Sequence, residues 1–135
     1  MKKLFVDTSA WVATVNARDQ YHQAAAGFYR KAWKEYDQLL TTNLVAAETY
    51  ILLRLDCGLD AALGWWEKIA ASPRVQMLYA GPDITWEAVN LLRKFKDQSF
   101  SLTDAVSFKV MEQTGTREAF AFDSHFKTAG FTVLP

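Results

Sequence analysis

The chain has 135 residues, half of them hydrophobic, which is enough to bury an independent core and sets the expectation of a single domain over residues 1–135. Fifteen basic residues offset fifteen acidic ones, so no global positive field draws in nucleic acid, and any polyanionic ligand has to be gripped locally. The single cysteine, Cys57, excludes an internal disulfide, and no apolar run approaches the roughly 20 residues of a membrane span, so the expectation is a protein of the reducing cytoplasm with no membrane segment. Lys2-Lys3 precede only three apolar residues before Asp7, too short a run for a signal peptide.

Leu4-Phe5-Val6 is an apolar run without alternation, the pattern of a strand buried on both faces of a parallel sheet. Asp7 ends it, at the carboxyl rim where open α/β sheets place ligands. Ser9 is a candidate N-cap for a helix through Ala10–Ala13; Asp7 as the cap is the structural alternative. Asn16 to Asp19 form a turn, with Asp19 a candidate cap. From Tyr21 a helix buries Ala25, Phe28, Tyr29, Ala32, Trp33 and Tyr36, with a solvated face at Arg30, Lys31, Lys34 and Glu35. Leu39–Thr42 is a second strand and Asn43 the cap of a helix to about Leu55, whose apolar side carries Val45, Glu48, Thr49 and Leu52. An acid in that stripe requires a partner.

Gly58 stops this helix. Leu59 to Ser72 forms the next, with Leu63, Trp66, Ile69 and Ala70 inward. Trp65 and Trp66 cannot face the same way, so one of them sits at a self-association surface or, alternatively, stacks a base. Pro73 breaks the helix before a third strand, Val75–Tyr79. Asp83 caps a helix from Ile84 to Phe95, striped by Ile84, Ala88, Leu91, Leu92 and Phe95. After a polar turn, Ser101-Leu102-Thr103-Asp104 opens a helix with Val106, Phe108, Val110 and Met111 inward, ending near Gly115. Asp104 in its first turn suits the helix dipole. A fourth strand, Glu118–Phe122, again closes on an aspartate, Asp123; a turn through Phe126 and a last strand, Phe131–Leu134, follow. This order predicts a three-layer α/β sandwich, a mostly parallel five-stranded sheet with helices on both faces. If the first and fourth strands are adjacent, Asp7 and Asp123 meet at the switch point.

Four acids then share one rim: Asp7, Glu48, Asp104 and Asp123. Each has an innocent explanation alone. Together they are electrostatically untenable without a cation, and an all-carboxylate set suits magnesium or manganese. Cys57, His22 and His125 are too scattered for a zinc site, and no phosphate-binding glycine loop is present. Such a cleft grips a phosphodiester through the metal and hydrolyses it with metal-activated water.

The segments Lys3-Leu4-Phe5-Val6-Asp7-Thr8-Ser9-Ala10, Thr41-Thr42-Asn43 followed by Glu48, Ser101-Leu102-Thr103-Asp104-Ala105-Val106-Ser107-Phe108 and Phe120-Ala121-Phe122-Asp123-Ser124-His125-Phe126 resemble the PIN-domain proteins. These are metal-dependent ribonucleases that include the VapC toxins of toxin–antitoxin pairs. The resemblance implies that Asp7, Glu48, Asp104 and Asp123 are the catalytic, metal-binding acids, with Thr8, Ser9 or Thr103 as supporting hydroxyls. It further implies a central first strand, RNA as substrate, a homodimer and a cognate antitoxin. Asp97 is a second candidate for the fourth acid, and His125 reads as a rim residue near phosphate. Two alternatives belong to other classes: a non-catalytic module binding a partner, and a phosphatase with Asp7 as nucleophile, in which Ser9 occupies the place of an expected second acid.

Overall fold

A computed structural model describes residues 1–135. Its centre is a sheet of β1 (Lys3–Val6), β2 (Gln38–Thr42), β3 (Val75–Leu78), β4 (Glu118–Phe120) and β5 (Thr132–Leu134), in the order β3-β2-β1-β4-β5. All neighbouring pairs are parallel, so the expected sheet is present, with β1 central and no antiparallel strand. Leu4 lies opposite Leu39, and Phe5 opposite Leu40 on one side and Ala119 on the other. Leu4, Phe5 and Val6 are fully buried, which a central parallel strand achieves only when both faces are covered.

Helices α1 (Thr8–Val15) and α2 (His22–Glu35) carry the chain from β1 to β2, and α3 (Asn43–Cys57) and α4 (Leu59–Ala71) carry it on to β3. Helices α5 (Pro82–Lys94) and α6 (Leu102–Thr114) return it past β2 and β1 to β4, and α7 (His125–Thr128) leads to β5. Right-handed crossovers running in opposite directions put the two helix groups on opposite faces, which makes the three layers. The direction reverses between β1 and β4, so the loops leaving those strands diverge and open a crevice there. On one face Trp11 packs edge-on to Tyr29 and Trp65; on the other, Phe108 packs edge-on to Phe126.

Several local expectations are corrected. Asp7, not Ser9, caps α1, and Thr42, not Asn43, caps α3 through Val45 N at 3.1 Å. Asn43 Oδ1 instead accepts from Ala80 N at 2.8 Å, tying down the chain after β3. Helix α5 starts with Gly81 as N-cap and Pro82 in its first position, where a missing N–H costs nothing, and Asp83 falls in the first turn. Asp19 accepts from Tyr21 N at 2.9 Å, ahead of α2. In α3, Leu53 is buried and Leu52 is exposed. In α4 the inward residues are Ala62, Trp65 and Ile69, while Leu63 and Ala70 are exposed and Trp66 is half-buried. Two stripes one residue apart are both apolar in this helix. The Trp11 ring, 5.6 Å from that of Trp65, selects the one that fits. Strand β4 ends at Phe120, so Asp123 stands in the loop beyond it.

Candidate active site

Asp7 follows β1 directly and serves two purposes at once. Its Oδ2 accepts from Ser9 N at 3.4 Å and from Ser9 Oγ at 2.9 Å, which caps α1. Ser9 Oγ in turn accepts from Phe122 N at 2.9 Å, and Asp7 N donates to Phe120 O at 3.0 Å. The loops after β1 and β4 are thereby laced together, and the Asp123 carboxyl is held within hydrogen-bonding reach of Asp7. Asp7 is only 4% exposed. Burial first, and the Asp123 charge second, push its carboxyl up from 3.8 to about 8. Asp7 therefore keeps a proton at neutral pH when no positive charge is near.

Asp104 is fixed by a capping box at the start of α6: its Oδ2 accepts from Ser101 N, and its N donates to Ser101 Oγ, both at 3.0 Å. The same Oδ2 is hydrogen-bonded to His125 Nδ1 at 2.7 Å, which leaves Oδ1 free. His125 N donates to Asp123 Oδ1 at 2.9 Å, so His125 joins two of the acids. Its ring stands edge-on to Phe100, with centroids 5.6 Å apart. Sequence reasoning placed His125 at the rim and missed this role. The sole signal was its position two residues after Asp123; its partner Asp104 is 21 residues away on another element.

Glu48 reaches the site from α3, where its Oε1 accepts from Thr8 Oγ1 at 3.1 Å. That hydroxyl is the partner its apolar stripe required. Asp7, Glu48, Asp104 and Asp123 line one open cleft of about 390 Å³ at the crevice between β1 and β4. Asp97 lies exposed in the turn after α5 and is not part of this lining. Of the hydroxyls named from sequence, Thr8 and Ser9 bond to acids, and Thr103 contributes its backbone carbonyl to Ser107 Oγ. Three cavities are larger: one of about 430 Å³ beside Phe100 has Glu112 as its one acid, one of about 610 Å³ beside Trp33 has none, and one of about 500 Å³ sets Asp19 and Asp56 beside Arg18.

The residues fit a hard divalent cation. Ligand atoms of Asp104, Asp123 and His125 lie within 4.8 Å of one another, Asp7 abuts Asp123, and the donors are carboxylate oxygens with one imidazole beside them. Asp7, raised to about 8 first by burial and then by the Asp123 charge, is a carboxyl whose ionised form a cation would favour.

The chain is similar to known proteins in sequence and in fold. The 23S rRNA-specific endonuclease VapC20, from two strains of Mycobacterium tuberculosis, is 36% identical over 132 residues, which is 97% of each chain. The crystal structure of Mycobacterium tuberculosis VapC20, described as a Sarcin-Ricin loop cleaving toxin, superposes with a TM-score of 0.87 at 35% identity and covers 98% of this chain and 99% of its own. The PIN domain family matches residues 4–132, from the first strand to the start of the last and across every acid of the cleft. The chain belongs to the PIN-domain family.

Proposed function

We propose that the chain is an endoribonuclease that uses magnesium or manganese to hydrolyse RNA phosphodiester bonds, the toxin of a toxin–antitoxin pair. The observation that carries this reading is the cleft in which Asp7, Glu48, Asp104 and Asp123 converge, with Asp7 driven up to about 8 by burial and by its neighbour. The relatives named as cleaving 23S rRNA and its Sarcin-Ricin loop support ribosomal RNA as the substrate class.

Asp7, Asp104 and Asp123 would hold the ion, with Glu48 on the α3 side. When bound, it supplies an activated water and charge compensation at the leaving oxygen. The remaining work falls to the chain. Ser9 orients Asp7 and locks it to the β4 loop. His125 and the Ser101 cap fix the orientation of Asp104 by its Oδ2. Thr8 keeps Glu48 in the cleft. A bound cation would favour the ionised form of Asp7, so cation binding should strengthen as pH rises.

No helix is long and apolar enough to cross a membrane, and the unpaired Cys57 suits a reducing cytoplasm. The whole of residues 1–135 acts as one PIN unit. Ile51, Leu52, Leu55, Leu59 and Leu63 are exposed apolar residues on α3 and α4, 42 to 76% accessible, and such a cluster suits a homodimer contact or a cognate antitoxin. The test is cleavage of a ribosomal RNA hairpin. Manganese or magnesium supports it; excess chelator, Asp7→Asn and Asp104→Asn each abolish it. Equal cleavage in chelator would remove the metal mechanism.

A further inference from the structure

The acidic cleft contains no lysine or arginine among its lining residues, although its substrate on the reading above is a polyanion. On that reading the acids would hold, through a bound cation, one phosphate. A strand positioned for cleavage needs a second hold that does not depend on positive charge, and the rim of the cleft contains one. Tyr21 and Phe122 both line it, with rings 4.7 Å apart and only 5° from parallel. Every other aromatic pair in the chain is tilted or edge-on, at 31° or more.

The stack is built from the core outward. Fully buried Phe120 packs edge-on to Phe28 and to Phe122, and Phe122 carries Tyr21 on its face. Tyr21 ends the series, 43% exposed. Its backbone is held on both sides, by Asp19 Oδ1 accepting from Tyr21 N at 2.9 Å and by Tyr21 O accepting from Ala25 N at 2.9 Å, and the next residue is tied down by His22 Nδ1 bonded to Ala13 O at 2.8 Å. Phe122 immediately precedes Asp123, which fixes the stack relative to the acids. A ring stacked on one face against Phe122, 43% exposed and lining the acidic cleft, matches the way proteins hold unstacked bases of single-stranded RNA.

We infer that Tyr21, backed by Phe122, is a stacking platform for one nucleobase of the RNA strand cleaved at the acidic cleft. The inference rests on the ribonuclease reading and deepens it: the platform positions substrate and sets which nucleotide lies beside the scissile bond.

The test is steady-state cleavage of an RNA hairpin with manganese by wild type, Tyr21→Ala, Tyr21→Phe and Tyr21→Trp. Removing one stacked base contact raises KM roughly tenfold in Tyr21→Ala, while the Phe and Trp variants stay close to wild type. A scan of abasic nucleotides around the cleaved bond then finds one position at which wild type loses a similar factor and Tyr21→Ala loses nothing more. A purely structural tyrosine would instead lower the melting temperature in proportion to the lost rate and show the same abasic profile as wild type. If wild type cleaves and Tyr21→Ala has an unchanged KM, or the two abasic profiles coincide, the platform is refuted and the ribonuclease reading stands. If wild type cleaves no RNA, both fall.

Discussion

Asp7 shows how one side chain meets two demands. As N-cap it needs an acceptor, which asparagine supplies nearly as well; as a buried neighbour of Asp123 it bears a charge cost that asparagine lacks. Its folded carboxyl titrates at about 8 against 3.8 in the unfolded chain. The folded state therefore binds more protons between those values, and the metal-free protein loses stability as pH rises from about 4 through about 8. Each pKa unit carries about 1.4 kcal/mol, so Asp7→Asn should melt above wild type at pH 8 in chelator, and the difference should vanish near pH 4. Manganese reverses the order, stabilising wild type by about 2.7 kcal/mol at a hundredfold excess over Kd and Asp7→Asn by much less. Thermal melts at both pH values, with chelator and with manganese, check this. An Asp7→Asn protein that melts lower in chelator at pH 8 and responds equally to manganese would remove the clustered-acid reading. Ser9→Ala makes a neighbouring prediction. It deprives Phe122 N of its acceptor and Asp7 of a donor, so it should cost about 1–3 kcal/mol and weaken manganese binding, read by calorimetry.

At the scale of elements, hydrophobic period marked where each helix and strand lies; Asp7, Asp104 and Asp123 were legible because they follow strands or open a helix, and Glu48 because it interrupts the apolar stripe of α3. Boundaries were less legible where two residues compete for one cap. Asp7 and Ser9, or Thr42 and Asn43, have equivalent capping chemistry, and the choice depends on what else needs the second side chain. Ser9 Oγ is required by Phe122 N and Asn43 Oδ1 by Ala80 N, contacts 113 and 37 residues away that local pattern does not carry. Helix α4 shows the same limit in packing. Ala-Ala-Leu and Trp-Trp leave its rotation undetermined by one residue, and Trp11 from α1 decides it. The consequence is a changed prediction for the two tryptophans. Trp65 is a core residue, and Trp65→Ala should cost about 3–5 kcal/mol through the cavity it leaves, visible in urea unfolding. Trp66→Ala should cost clearly less. Equal losses would place both rings in the core.

At the scale of the molecule, the parallel sheet brings together acids that are distant in sequence because its winding reverses between β1 and β4. The same winding leaves the α3–α4 surface without a partner in the monomer. Leu55 is 76% exposed and Ile51, one helical turn before it, 54%. Leu59 and Leu63, on α4, extend the apolar surface past Gly58. Because the chain is neutral overall, no net repulsion keeps two copies apart, and burial of this surface would favour the proposed homodimer. Leu55→Asp should then shift sedimentation from dimer to monomer with little change in the monomer's unfolding, since an exposed position lies outside the mechanisms that destabilise a fold severely. Central anchors of an interface typically contribute about 2 kcal/mol or more, which raises the dissociation constant by more than an order of magnitude. Trp65→Ala, by contrast, should lower stability without selectively lowering association. A Leu55→Asp chain as dimeric as wild type would assign self-association to another face and leave the α3–α4 surface for a different partner.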